Sequence, residues 1–475
     1  MKKILGAIGG LATVGVLSYP GFGFLVEKGL RHQLDATPKQ YGLSIELTDF
    51  QRHWFTSDAK LLWKWQIPAH LTQNAQGQTV TVSPQDFQKE FNIKIYHGPL
   101  VLVGHKPFLG IGFANTILDW PLSSNLPAKN EFTQDSVFPQ INLTMALNFL
   151  FQTSWNTEIP AFNLISKDNK RQLQWQGLSI DSKVGDNAKY SDGGIDFVGM
   201  HFKNEQTSLA FADFQLNYDF NLDKSGLYIG DAKVNLVSID VVDPENNHIN
   251  LADFNLNTDA DITQDNIFSV NYAMSLKKFS VNEVKMGPFD LQFNFADLNV
   301  DSMKRLTQSL RQEQNASPSF RQKNVWTLMA GLPDLLKYGM SFNLKKLHVV
   351  LDNGTIDSSA KVEIPKNSSP YSDGFQALQN LNVDWNVQVS QNLLVTWGSK
   401  LLQSEMISHA DASMQMPSEK EINALAVEKI KSKLASLEQA GVIQAKSSNY
   451  TVKILYKNGQ FTVNDKPFDP SWLII

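Results

Sequence analysis

The 475-residue chain contains no cysteine. That excludes disulfides, thiol nucleophiles, thiolate metal sites and a lipid-modified cysteine. Charge is also scarce: Asp, Glu, Lys and Arg make up 19% of residues, with a net charge of −5. Acids and bases are interspersed, so there is no basic footprint for nucleic acid. There is no H-E-x-x-H or H-x-x-H pair and no phosphate-cradling glycine loop. No serine stands in G-x-S-x-G, or in S-x-x-K with the partners that chemistry needs. No catalytic, cofactor-binding or metal-ligating residue is assigned, and an enzyme is the less favoured reading. Phenylalanine, by contrast, is abundant at 29 residues, which points to a folded chain rather than a disordered one.

A long hydrophobic run opens the chain. Lys2 and Lys3 precede an uncharged stretch from Ile4 to Val26, and Glu27 is the first acid. A bilayer core of about 30 Å is crossed by a helix of about 20 residues. The stretch is therefore expected to be a transmembrane helix, with Ile4, Leu5, Ile8, Leu11, Val14, Val16 and Leu17 in the bilayer. It runs on through Tyr19-Pro20-Gly21-Phe22 without an A-x-A cleavage pattern, which favours an uncleaved anchor over a cleaved signal. The two lysines hold the N-terminus in the cytoplasm. In a Gram-negative bacterium the bulk is then periplasmic and the protein is a single-pass inner-membrane protein. Gly6 and Gly10 form a G-x-x-x-G, either a self-association face or, the favoured reading, part of a glycine-rich run.

Downstream, period-two alternation dominates. Phe214, Leu216, Tyr218, Phe220 and Leu222 alternate with polar residues, as do Phe268 to Leu276, Phe289 to Phe295 and Leu381 to Val389. Such alternation predicts antiparallel strands with one wet face. Asn353-Gly354 and Asn458-Gly459 sit between alternating runs and predict hairpin turns with positive φ at both residues. Ala212-Asp213-Phe214-Gln215-Leu216, Ala252-Asp253-Phe254-Asn255-Leu256 and Ala296-Asp297-Leu298-Asn299-Val300 recur at about 40 residues. The recurrence is either a repeat of stacked β units or coincident strand language. Helical spacing appears at Met303, Leu306 and Leu310, and at Val325, Leu328, Met329 and Leu332, where Pro333 disturbs it. The clearest helix starts at the capping box Ser418-x-x-Glu421 and stops before Gly441. Phe24 to Leu34 is expected to continue the anchor as a stalk helix.

The fold class is therefore mainly β (α+β): a transmembrane helix, then a large antiparallel β-rich body with a few helices in the C-terminal half. Its regions are an anchor and stalk over 1–30, a β-rich region over 31–200, a repeated antiparallel region over 201–300, and an α+β region over 301–475 that ends in a hairpin.

Three local patterns carry a family resemblance: Phe50-Gln51-Arg52-His53-Trp54-Phe55-Thr56-Ser57, His97-Gly98-Pro99, and Tyr456-Lys457-Asn458-Gly459-Gln460-Phe461-Thr462-Val463-Asn464. With the leading apolar run, they resemble the YdgA family of uncharacterised Gram-negative envelope proteins. His53 departs from the glycine usual there. The resemblance implies an inner-membrane-anchored periplasmic β-rich protein and supplies no activity. It singles out Arg52, Trp54, Phe55, Ser57, His97, Gly98, Pro99, Asn458 and Gly459.

Each of these has a plainer reading. His97-Gly98-Pro99 either presents an imidazole to a ligand or, as favoured, closes a strand with a turn while the ring packs. Arg52 and Trp54 either meet headgroups at a membrane surface or, as favoured, belong to an amphipathic strand in which Trp54 packs and Arg52 pairs with an acid. The aromatic strand faces usually meet an opposing sheet; an open sheet would instead line a groove for acyl chains. The leading expectation is a non-enzymatic envelope protein with a scaffold or binding role. The alternatives are a lipid-binding or lipid-transfer protein and an envelope hydrolase. Its partners are the inner membrane, envelope proteins or lipid, with no cofactor and no nucleic acid.

Overall fold

The structure, a computed structural model, describes residues 21–31, 34, 43–67, 70–73, 79–82, 85–103, 106–119, 129–185, 189–263, 266–314, 330–366, 370–372, 374–408 and 418–468. The anchor positions Ile4, Leu5, Ile8, Leu11, Val14, Val16 and Leu17 lie outside the described residues. Among the described residues no helix is long and apolar enough to cross a membrane. The fold is mainly antiparallel β with few helices, and the chain divides into two units, Met1–Asn221 and Leu222–Ile475.

The first unit begins with a helix over residues 21–31 (α1). Its strands are β1 (Leu43–Arg52), β2 (Thr56–Ile67), β3 (His70–Gln73), β4 (Thr79–Val82), β5 (Gln85–His97), β6 (Leu100–Val103), β7 (Lys106–Leu109), β8 (Gly112–Asp119), β9 (Gln140–Leu147), β10 (Thr153–Ile159), β11 (Phe162–Ile165), β12 (Gln172–Val184), β13 (Tyr190–Lys203) and β14 (Ser208–Leu222). The sheet runs β1-β2-β5-β8-β9-β10-β12-β13-β14, antiparallel throughout. β3–β4 and β6–β7 are separate hairpins, and β11 pairs with the start of β12.

Helix α1 supplies the core. Gly23, Val26 and Leu30 fall on one stripe, and Val26 and Leu30 are buried against Ala59, Leu61, Ile93, Ile95, Ile111 and Ala114. Burial of each of these two side chains is worth about 1.5–3 kcal/mol. Small residues let the helix approach: a Cβ on Gly112 would meet Val26 Cγ2 at 2.6 Å. This cluster reaches Met145 and Leu147 of β9. The same face continues through cross-strand partners to Trp155, Ile180, Ile195 and Leu216, and to Leu178, Phe197 and Phe214. Rings of Phe162, Trp175, Phe197 and Phe211 follow one another across the strands at 5.6, 4.6 and 5.1 Å.

An opposing sheet would bury every second side chain of such a face. In β12, β13 and β14 the only fully buried residues are Gly194 and Gly199, and the aromatic side chains are only partly buried. The expectation of an opposed-sheet core therefore fails. The apolar side chains here pack sideways on one another, along the plane of the sheet.

The second unit contains β15 (Tyr228–Val242), β16 (His248–Ile262), β17 (Ile267–Val281), β18 (Val284–Asn299), β19 (Met340–Leu351), β20 (Gly354–Ile364), β21 (Asn382–Ser390), β22 (Gln444–Lys446), β23 (Asn449–Lys457), β24 (Gln460–Val463) and β25 (Lys466–Pro467). They run β15-β16-β17-β18-β19-β20-β21-β23, with β22 and β24 both on the far edge of β23. Helices are α2 (Val300–Gln314), α3 (330–336), α4 (Gly374–Gln379), α5 (Gln391–Ser408) and α6 (Glu419–Gln439). Full burial gathers near helices. Phe268 and Leu298 pack with Val300 at the start of α2, and Ile364 packs with Leu336 and Ala377. The rings of Tyr272, Phe293 and Phe342 follow one another across the sheet at 4.9 and 5.9 Å, partly buried.

The Ala-Asp repeat has a structural counterpart. Asp213, Asp253 and Asp297 each adopt a left-handed φ, at 44°, 52° and 60°, within a long strand. Aspartate tolerates that conformation better than most residues. At each one the in/out alternation resets by one position, as at a bulge. Residues three apart then share a face: the rings of Phe211 and Phe214 lie 6.4 Å apart, and Phe295 and Leu298 join one cluster.

The turns divide. Asn458 and Gly459 have φ of 53° and 76°, the expected primed hairpin turn. At the other pair, Leu351 opposes Gly354, so the turn is Asp352-Asn353 and Gly354 begins the strand. Gly354 is required because a Cβ there would collide with Ser390. The α6 capping box is present, with Glu421 N donating to Ser418 Oγ and Ser418 N to Glu421 Oε2. Gly441 takes φ 77°, and Val442 N bonds Leu437 O at 2.9 Å, a Schellman cap. Val325, Leu328 and Met329 lie outside the described residues, and helix α3 runs through Pro333.

Candidate functional site

One end of the first unit collects the sequence motifs. Thr56 at the start of β2 opposes Tyr96 near the end of β5, and His97 opposes Gly112 at the start of β8. Gly112 opposes Leu147 at the end of β9, and Leu147 opposes Thr153 at the start of β10. The β1–β2 turn, the His97-Gly98-Pro99 turn and the β9–β10 turn therefore lie at the same end. Backbone bonds stitch them: His97 N to Phe55 O at 3.1 Å, Gly98 N to Ile111 O at 3.1 Å, and Ile111 N to Leu147 O at 2.8 Å. Gly98 takes φ 138°, which favours glycine there.

Helix α1 starts at this same end. His97 is 0% exposed, its ring packed under Gly23. His97 thus stands at the strand end before the turn with its ring enclosed. Ser57 is also fully buried, and its Oγ has no hydrogen-bond partner among the described residues. Glu27, the first acid, is shared by Arg31 at 3.1 Å and Arg52 at 3.4 Å. The Arg52 guanidinium also lies 5.7 Å from the Phe24 ring centre. The expected acid partner of Arg52 is therefore present. The expected packing of Trp54 is not: Trp54 is 47% and Phe55 51% exposed, with their rings 6.4 Å apart. The physical reason is position, because both fall in the turn beyond the last strand pair.

The β9–β10 turn carries a second apolar tip that sequence reasoning missed. Phe149, Leu150 and Phe151 are all exposed, Leu150 by 72%. Asn148 holds the turn, its Oδ1 accepting from Leu150 N at 2.9 Å and Gln152 N at 3.0 Å. Phe151 sits at φ 57°, an unfavourable conformation for so bulky a residue. Phe22 of α1 reaches this tip, its ring 6.3 Å from that of Phe149. Leu100 and Leu109, paired in the β6–β7 hairpin, add two more exposed side chains. The available signal was an apolar triplet between Asn148 and Gln152, where a hairpin turn is normally polar.

Residues 1–471 match the family described as "Bacterial protein of unknown function (DUF945)". The chain belongs to this family. No match was found among curated proteins, and none among solved structures. Membership spans nearly the whole chain, both units included, and its description names no activity.

Asn458 and Gly459 form the β23–β24 turn of the second unit. Among the described residues, the carboxyls with displaced pKa values are Asp168, Asp223, Asp243 and Glu421, all pulled below the ordinary range. Hydrogen bonds from Ser166, Ser225, Asn247 and Ser418, respectively, are the leading causes. A general acid at neutral pH needs the opposite displacement. Among the described residues no group of three His, Asp or Glu is placed to hold a metal. A polar depression of about 510 Å³ lies on the second unit beside Lys346, Asp357 and Lys453. Two of its lysines are paired, Lys346 with Asp290 at 2.9 Å and Lys453 with Asp465 at 3.2 Å.

Proposed function

We propose that the chain is a non-enzymatic binding protein of the Gram-negative envelope. It is held at the inner membrane by its leading segment, with its bulk in the periplasm, and takes up extended apolar molecules, acyl chains foremost, on its uncovered sheet faces. The resemblance to the YdgA family supports that address, as does the pair Lys2 and Lys3 before an uncharged run. The observation that carries the binding reading is the aromatic row Phe162, Trp175, Phe197 and Phe211, with its counterpart Tyr272, Phe293 and Phe342, each partly but not fully buried. Such rows offer continuous apolar surface with no charged side chain to desolvate. An envelope hydrolase would need a raised carboxyl or an accessible base in a cleft, and the displaced carboxyls point the other way.

The test is photocrosslinking in cells. A photoreactive residue replacing Phe197 or Phe293 is expected to capture lipid. One replacing Gln215 or Asn217, on the polar face of β14, is expected to capture none. Lipid adducts absent from both faces, or equal on both, overturn the reading.

A further inference from the structure

The geometry points to the hairpin end of the first unit as a surface that rests on the bilayer, with its apolar tips at the boundary between headgroups and acyl chains. The inference rests on the reading of the leading segment as an anchor. Residues 4–20 carry no charge, and the chain enters α1 at Gly21, among these tips. Up to Val26 the helix is apolar all round: Phe22, Gly23 and Val26 face the sheet, while Phe24 and Leu25 face outward. The first charge, Glu27, comes next and is tied to the β1–β2 hairpin through Arg52. The hairpin is thereby fixed beside the point where the uncharged run ends.

Around that point three hairpins expose side chains of the kind that populate membrane interfaces. Trp54 and Phe55 stand on one side, Phe149 to Phe151 on another, and Leu109, 68% exposed, on the β6–β7 hairpin. Trp and Phe suit the headgroup level, and an adjoining Arg52 and Arg31 suit anionic headgroups. An exposed bulky residue in a left-handed conformation is a poor choice for a turn in water, since Asn or Gly would fit Phe151's backbone more easily. Insertion into lipid gives that choice a purpose. A second copy of the chain would also cover an apolar patch. The uncharged run that precedes Gly21 in the sequence favours lipid.

The absence of cysteine makes a direct test simple, because any introduced cysteine is the only thiol. The full chain carries Leu150→Cys, Val137→Cys or Leu11→Cys, each labelled with an environment-sensitive fluorophore. It is reconstituted into vesicles of phosphatidylethanolamine and phosphatidylglycerol. Val137 is exposed near the opposite end of β9 and serves as the aqueous reference. The expected result is blue-shifted emission at position 150 that brominated phospholipid quenches, with water-like, unquenched emission at 137. Water-like emission at 150 while the label at 11 is quenched overturns the inference and leaves the anchor standing. A blue shift at 150 that brominated lipid does not quench overturns it as well, because the tip is then covered by protein. An unquenched label at 11 removes the anchor reading itself, and this inference with it.

Discussion

Gly23 lies flat against the imidazole of His97: a Cβ built on Gly23 would stand 2.9 Å from His97 Cε1 and 3.0 Å from Nε2. The contact joins the helix that follows the uncharged run to one of the three patterns that carry the family resemblance. Because His97 is wholly enclosed, its ring cannot swing out into solvent. Alanine gains about 1 kcal/mol over glycine in a helix. Overpacking a rigid core costs about 1–3 kcal/mol. The clash wins, so Gly23→Ala is expected to lower the stability of the full chain by up to about 2 kcal/mol. Gly21, whose added Cβ would meet nothing within 4 Å, supplies the contrast: Gly21→Ala is expected to be neutral or stabilising. Thermal unfolding in mild detergent compares the two, and equal effects would show that α1 does not press on His97.

Ser57 illustrates how a pattern residue can be conspicuous for packing alone. It sits two residues before Ala59 on the face that α1 covers, where a larger side chain would lift the helix. Its enclosed hydroxyl lacks a partner among the described residues, and an unmet buried hydroxyl costs about 1–3 kcal/mol. Ser57→Ala keeps the small volume and removes the unmet group. The expected outcome is a rise in stability of about 1 kcal/mol, read from denaturant midpoints at constant slope. A loss of stability would mean that the hydroxyl is bonded in the intact protein.

Local rules made the strands and the clearest helix legible. The alternation through Phe214, Phe268, Phe289 and Val383 falls within β14, β17, β18 and β21. The Ser418 capping box and Gly441 bracket α6, because caps depend on near neighbours only. What depends on distant chain was hidden. The stripe of α1 became meaningful only once Ile95, His97 and Ala114 were beneath it. Phe211 and Phe214, three residues apart, share a face through the left-handed Asp213, and composition does not announce a backbone angle. Helix α5 was missed although Leu393, Leu394, Trp397 and Leu401 keep helical spacing. It follows β21 without a break, and its inner surface is made by α6, where Gly398 faces Ile430. At the hairpin end the motif residues were found, while Phe149 to Phe151 were not, because turns are normally read for their polar residues.

The left-handed aspartates should be required for conformation more than for charge. Asp253 pairs with Lys277 at 3.0 Å, but both side chains are well exposed, so the pair is worth about 0–1 kcal/mol. A left-handed backbone costs an ordinary L-residue about 1–2 kcal/mol, more for a β-branched one. Asp253→Asn should therefore be nearly silent, whereas Asp253→Val should speed hydrogen exchange across β15, β16 and β17. If Asn were as damaging as Val, the ion pair would be the important feature.

The β15–β16 turn should weaken in acid. The Asp243 carboxylate accepts from Asn247 Nδ2 at 2.8 Å, Asn247 N at 2.8 Å and Glu245 N at 2.9 Å, which holds its pKa below the usual carboxylate value. A lowered folded pKa adds stability that is fully present above the unfolded value of about 3.9 and fades as pH falls through the folded one. Amides of residues 245 and 247 should thus lose protection below about pH 4, beyond the intrinsic slowing of exchange in acid. In Asp243→Asn the neutral amide has no such proton to gain, so protection there should start lower and stay flat across that range. Parallel profiles for the two proteins would mean that the carboxylate does not hold the turn.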